Sequence, residues 1–125
     1  MARLPHARLW YGLGVVLTVY IIVMCLVPAR DVPNLHVSDK IEHAAAFAGL
    51  AVWFGGLLPQ RRYVWLACAL LALGGAIELA QKLMGLGRMA DLRDLIADGW
   101  GIAFGLTLCA LGLRHWAQLV ERWWR

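Results

Sequence analysis

The sequence predicts an all-α fold. The expected architecture is a polytopic membrane protein, a bundle of four transmembrane helices followed by a C-terminal amphipathic helix at the membrane interface. Three observations predict it. The 125-residue chain is 62% hydrophobic with a mean hydropathy of +0.65, too apolar for a soluble domain of this length. Apolar runs near or above the roughly 18–20 residues needed to cross a bilayer recur along it. The basic residues gather mainly at the ends of those runs, as the positive-inside rule expects. The formal charge of +4 therefore carries no implication of a nucleic-acid partner, since no single basic stripe forms. One domain accounts for residues 1–125.

The first helix is expected over 9–27, a run with no ionisable group beyond the Tyr11 and Tyr20 phenols and the Cys25 thiol. Arg3 and Arg8 before it place its start on the cytoplasmic side. Val27, Pro28 and Ala29 have the look of a signal-peptidase site. The apolar run, however, exceeds the roughly 7–15 residues of a signal-peptide core, so a retained helix is expected. Pro28 and Pro33 end it, and 29–38 forms an outer loop. The second helix is expected over 39–58, opened by Asp39 and Glu42 in the form of a capping box. Pro59, Gln60, Arg61 and Arg62 make a basic inner turn. The third helix, 63–84, carries Glu78 and Gln81 near its outer end, and Gly85, Gly87 and Arg88 fall in a second outer loop. The fourth helix is expected over 92–113.

The tail, 114–125, differs in kind. Trp116, Leu119, Val120 and Trp123 recur at helical spacing against Arg114, Arg122 and Arg125, the pattern of an amphipathic helix in the cytoplasmic interface or of an aromatic anchor. With both termini inside, seven basic residues (Arg3, Arg8, Arg61, Arg62, Arg114, Arg122, Arg125) lie on the cytoplasmic side, against Arg30, Lys40, Lys82, Arg88 and Arg93 outside. Cys25, Cys68 and Cys109 each fall in an apolar segment without close spacing and are expected to be small buried hydrophobes, not a disulfide or zinc framework.

The stretch from Arg88 to Gly105, RMADLRDLIADGWGIAFG, organises the rest. Asp91, Asp94 and Asp98 share one helical face. Gly101 and Gly105 continue that side, where another helix can approach closely, within one chain or between two. At about 1.5 Å per residue, His43 lies roughly 6 Å below Asp39, Asp98 roughly 10 Å below Asp91, and Glu78 roughly 9 Å before Met84. Three helices thus place ionisable groups in one layer under the outer interface, with Arg88, Lys82 and Lys40 able to reach it.

Simple structural roles account for several of these residues. Asp39 and Asp91 suit helix N-caps, and the helix dipole favours Asp94. Glu42 and Lys40 suit solvated headgroup-level charges. His43 and Gln81 suit hydrogen bonds between helices. Glu78 and Asp98 do not fit so simply. Glu78 sits near the negative end of its helix dipole and Asp98 lies past the first turn of its helix, so each must be paired or neutral. A Glu78–Arg88 salt bridge is the structural alternative.

The only serine is Ser38, in the outer loop, and Thr107 stands alone in apolar sequence, so serine or threonine nucleophiles have little support. No cysteine lies near a histidine of the layer, and no phosphate-binding glycine loop appears. His43, Glu78, Asp94 and Asp98 suit an oxygen-rich divalent site by residue type, but no recognised metal spacing accompanies them. No metal or other cofactor is expected. Arg88 and Lys40 with the carboxylates suit an outer-leaflet phosphate head group.

At Asp39, Lys40, His43, Phe47, Glu78, Gln81, Arg88, Asp94, Gly101 and Gly105 the chain resembles the VanZ-like family of small bacterial membrane proteins. The pattern runs from Asp39 to Gly105, just over half of the chain. The family usually carries Asn where Asp98 stands, so this chain has an additional acid there. The resemblance implies a helical inner-membrane protein with the motif on its outer side, in a family associated with low-level resistance to the glycopeptide teicoplanin and without an established reaction.

Three functions fit. The expected one is a non-enzymatic envelope protein that binds an anionic lipid head group or lipid-linked envelope precursor through Asp39, Lys40, His43, Glu78, Gln81, Arg88, Asp94 and Asp98. The second is an intramembrane enzyme acting on a lipid phosphate, with Glu78 or Asp98 as general base and Arg88 stabilising charge. The third is a structural or partner-binding bundle. Membrane lipids are the expected partners, with a second copy or another membrane protein as alternatives.

Overall fold

The computed structural model describes residues 6–26, 39–84 and 92–124 and, within them, every side chain except those of residues 39, 40, 114 and 124. The described residues form five α-helices and no strand: α1 (Ala7–Leu26), α2 (Asp39–Gly55), α3 (Tyr63–Met84), α4 (Leu92–Leu111) and α5 (Trp116–Trp124). Three apolar segments, Ala7–Leu26, Gln60–Met84 and Leu92–Leu111, are long enough to cross a membrane, while α2 contributes a shorter apolar stretch, Ile41–Gly55. The outer loops expected around residues 29–38 and 85–91 lie outside the described residues.

Helix ends follow local chemistry. The second helix was expected to reach residue 58 but stops at Gly55. Leu57 and Leu58 both donate their amides to the Phe54 carbonyl, at 3.0 and 2.9 Å, which closes the last turn. Tyr63 takes part in that closure, its hydroxyl donating to the Gly55 carbonyl at 2.9 Å. Pro59, with no amide to donate, precedes a short 3₁₀ turn (Gln60–Arg62) that leads into α3. The fourth helix stops at Leu111, two residues before the expected end, where the chain becomes extended at Gly112. A second 3₁₀ turn (Leu113–His115) then leads into α5.

The most extensive packing joins α2 to α4, and small residues make it possible. A Cβ on Gly101 would collide with the Ala44 backbone carbonyl, and one on Gly105 would lie 2.6 Å from the Ala48 oxygen and 2.7 Å from the Ala51 Cβ. Gly101 and Gly105 on α4 therefore face Ala44, Ala48 and Ala51 on α2, a small-residue seam that lets two backbones meet. This is packing within one chain. Around it lies the core of Ile21, Phe47, Leu50, Leu66, Leu70, Ile77 and Ile102. The outward faces are apolar as well: Val15 and Val16 of α1, Trp65 and Leu83 of α3, and Trp100 and Phe104 of α4 are all exposed. So much apolar surface suits contact with lipid tails and not with water.

The cysteines divide. Cys109 is buried as expected, packed against Gly55, but Cys25 is half-buried and Cys68 exposed. The expectation that all three are buried is corrected, because Cys68 lies on the outward apolar face of α3 beside Ala69, also exposed.

At the end where α1 begins, three tryptophans converge. Trp10, Trp53 and Trp116 have ring centroids 4.9–5.7 Å apart, the range of favourable tilted and edge contacts. Each indole donates a hydrogen bond: Trp53 to the Trp10 carbonyl (3.0 Å), Trp116 to the Val52 carbonyl (2.7 Å), and Trp10 to Glu121 Oε1 (2.8 Å). Glu121 also accepts from the His6 backbone amide at 3.0 Å and pairs with the His6 ring at 3.1 Å. The tail is a helix, but its apolar stripe is not treated uniformly. Ala117 and Glu121 are buried, while Leu119 and Trp123 face outward. Burial alone pushes the Glu121 carboxyl up, but the Trp10 indole, the His6 amide and the His6 ring outweigh it and hold it below the usual value.

Two outcomes are expected. Gly101→Ala forces a Cβ against backbone that cannot rotate away and should cost about 1–3 kcal/mol. Gly49→Ala, whose Cβ meets nothing within 4 Å, should stabilise by about 0.5–1 kcal/mol. Equilibrium unfolding in mixed detergent micelles compares them. Because the Glu121 pKa is depressed on folding, the clasp is at full strength above about 4.5, the ordinary value, and loosens as pH falls through the lower folded value. Tryptophan emission should change in that acid range in the wild type, and the step should be missing in Glu121→Gln.

Candidate functional site

The polar layer assembles at the opposite end of the bundle, where α1 and α3 finish and α2 and α4 begin. Depth along each helix puts His43 one turn into α2, Glu78 and Gln81 in the last two turns of α3, and Asp94 and Asp98 in the first two turns of α4. All five are buried, with exposures from 9% at Glu78 to 0% at Asp98. An i, i+4 step sets Asp94 and Asp98 on one face of α4, and an i, i+3 step does the same for Glu78 and Gln81 on α3.

One link joins α2 to α4. His43 Nδ1 lies 3.0 Å from Asp98 Oδ1. With Asp98 ionised and the ring neutral, Nδ1 donates and Nε2 keeps its lone pair. The small-residue seam positions this pair: His43 directly precedes Ala44, and Asp98 lies three residues before Gly101, so the contact that brings the backbones together also brings these side chains together. Gly74 of α3 admits the other oxygen, since a Cβ there would press on Asp98 Oδ2.

One ring nitrogen of His43, one oxygen of Glu78 and one of Asp94 all lie within 4.8 Å of one another. Three helices thus contribute to one buried group. Gln81 ties in the fourth: its amide nitrogen donates to the Cys25 carbonyl at 2.7 Å, in the last turn of α1, where carbonyls look outside the helix for donors. The expected interhelical role of Gln81 is therefore seen directly.

Other expected members do not join the described group. Arg88 lies outside the described residues, as does Asp91, and the side chains of Asp39 and Lys40 are not described. Lys82 is exposed and makes no ion pair with the cluster among the described residues. Glu42 is half-buried. Thr107 bonds back to the Ala103 carbonyl of its own helix at 2.7 Å and takes no part. An apolar groove of about 480 Å³, lined by Ala48, Gly49, Val52, Trp53, Leu108, Leu113 and Trp116, contains no ionisable side chain. The chemistry therefore resides in the cluster.

Three carboxylates and one imidazole in a low-dielectric bundle set a strong constraint. An uncompensated buried ion costs several kcal/mol even after relaxation, so the acids must share protons or face cations. An imidazole held by a carboxylate is also a competent proton acceptor wherever a substrate reaches it. Sequence reasoning missed two features at the other end. No role for Glu121, Trp10 or Trp53 is expected from the sequence, which places Trp116 only on the amphipathic stripe of the tail. The signal available was Ala117 four residues before Glu121, a small residue and an acid on one face.

Asp98→Ala leaves the His43 donor buried and unmet, and should cost about 1–3 kcal/mol. A double-mutant cycle with His43→Ala, read by the same detergent unfolding, should give a coupling of about 0.5–3 kcal/mol. Additive losses would mean that the pair is a proximity and not an interaction.

No family model, curated protein or solved structure matches this chain.

Proposed function

We propose that this chain is a four-span inner-membrane protein of the bacterial cell envelope, of the VanZ-like kind. In this reading its buried layer binds the anionic head group of a lipid or lipid-linked envelope precursor at the outer face. The observation that carries the reading is the convergence of His43, Glu78, Asp94 and Asp98 from three helices at one end of an otherwise apolar bundle. Charged groups inside a membrane protein mark ligand or ion sites as a rule. Arg88 and Lys40, neighbours of the layer in sequence, supply the positive charge that a phosphate requires.

The topology goes with this reading. α2 has 17 residues, about 26 Å of helix against a hydrocarbon core of about 30 Å. It packs against α1, α3 and α4, so protein and not lipid surrounds much of it. Both termini lie in the cytoplasm, next to the basic inner turn, with α5 in the interface, Leu119 and Trp123 toward the acyl chains and Arg122 toward the head groups.

The His43–Asp98 pair favours a second reading, an enzyme acting on a lipid phosphate. Its water or substrate nucleophile would be activated by a carboxylate, Glu78 or Asp98, or by the imidazole that Asp98 holds.

Native mass spectrometry with lipid extraction, on the wild type and Arg88→Ala, tests the first reading. A phospholipid or isoprenoid phosphate should accompany the wild type. Losing one charge-assisted hydrogen bond, about 1.5–3 kcal/mol, should weaken its retention roughly 10- to 100-fold in the folded variant. A lipid-free wild type with a variant that fails to fold would make the layer structural. For the enzyme, Glu78→Gln should end turnover of the bound lipid without releasing it, and a normally active variant would remove Glu78 as base.

A further inference from the structure

We infer that His43, Glu78 and Asp94 form a binding site for one divalent transition cation, of which Zn²⁺ is the best match, with Asp98 holding the imidazole in its ligating orientation. The site lies among the residues of the proposed head-group layer, but the inference rests on their geometry and not on a bound lipid.

The donor set comes first. One nitrogen and two carboxylate oxygens within 4.8 Å of one another lie close to the separations a single ion imposes. Ligands at about 2.0–2.2 Å from Zn²⁺ stand roughly 3.4 Å apart in a tetrahedron and no more than about 4.4 Å apart in any arrangement. Closing 4.8 Å to that range needs only small rotamer adjustments. An imidazole with two carboxylates suits zinc or manganese better than calcium or magnesium, which favour all-oxygen sets. The three residues come from α2, α3 and α4, so no sequence spacing of the familiar kind exists to be recognised, and the expectation of no metal rested on that spacing.

Asp98 supplies the second part. Metal-binding histidines almost always give their other ring nitrogen to a carboxylate or carbonyl, which fixes tautomer and orientation. His43 does so through Nδ1 at 3.0 Å from a wholly buried aspartate, which leaves Nε2 as the ligating atom.

The third observation is independent of the cluster's spacing. Asp98 Oδ2 and Gln81 Oε1 are both buried without a hydrogen-bond partner among the described residues. Asp98 Oδ2 abuts Gly74, one turn before Glu78 on α3, and Gln81 lies one turn after it. Orphaned acceptors on either side of a buried carboxylate need something electropositive. Buried groups of this kind in native structures point to an ion or to water nearby. The ion also reduces the charge of a layer that carries three acids.

The experiment uses the full chain, purified in detergent, freed of any affinity tag and stripped with a chelator. It is then loaded with Zn²⁺, desalted and assayed by elemental analysis and native mass spectrometry. The wild type should retain one equivalent. Glu78→Gln and Asp94→Asn should each retain less than a tenth of an equivalent with unchanged helical circular dichroism. Asp98→Asn should keep the one-to-one stoichiometry but bind roughly 10- to 100-fold more weakly. X-ray absorption at the zinc edge of the loaded wild type should show one imidazole and otherwise oxygen ligands, and this readout stands even if a variant fails to fold. A wild type that retains no zinc overturns the inference, as does zinc kept equally by folded Glu78→Gln or an absorption spectrum with sulfur or two imidazoles. The head-group reading is separate, since lipid retention is measured on protein that has not been stripped.

Discussion

The close approach of α2 and α4 is the contact on which the other features depend. In lipid, apolar side chains gain little by leaving one hydrocarbon environment for another, so helices associate through tight packing and polar links. Gly101 and Gly105 remove the side chains that would hold α4 away, and Ala44, Ala48 and Ala51 keep the facing surface low. With the backbones touching, His43 and Asp98 come within hydrogen-bond distance. A longer side chain in the seam would separate a buried donor from a buried carboxylate and leave both unmet. Packing and polar chemistry are thus one constraint at this end of the bundle.

The two ends solve different problems. At one, Trp10, Trp53 and Trp116 present large rings with a single donor each, and every donor finds an acceptor. Glu121 there receives its hydrogen bonds from fixed neighbours, which keeps its carboxylate charged despite burial. A network whose three indole donors are all met rigidifies a structure. At the other end three acids gather with one imidazole, and Asp98 Oδ2 and Gln81 Oε1 have no hydrogen-bond partner among the described residues. The convergence of ionisable side chains from three helices is why the functional reading centres on the polar layer and treats the tryptophan clasp as architecture.

Much of this arrangement was legible along the chain, because hydropathy and helical spacing are local properties. The apolar runs placed α1, α3 and α4 to within two residues at each end, and Pro59 marked the turn before α3. The i, i+4 step from Asp94 to Asp98 and the i, i+3 step from Glu78 to Gln81 put each pair on one face. Simple depth along the helix then collected them with His43 at a common level. The errors were also local in origin. Gly55 and Gly56 ended α2 before residue 58, and Cys68 sits in apolar sequence yet faces outward, because an all-apolar segment does not reveal which face meets lipid.

The sequence by itself determined that the chain is helical, that apolar segments of membrane-crossing length recur along it, and that polar groups gather at one level. Each follows from composition or from the fixed rise of a helix. Only the tertiary structure decided who meets whom: His43 with Asp98 across 55 positions, Glu121 with Trp10 across 111, and Gly101 with Ala44. Those pairings depend on the rotation of each helix about its axis and on how closely two backbones can approach. Both are set by the sum of contacts over a whole interface, and no local pattern encodes that sum.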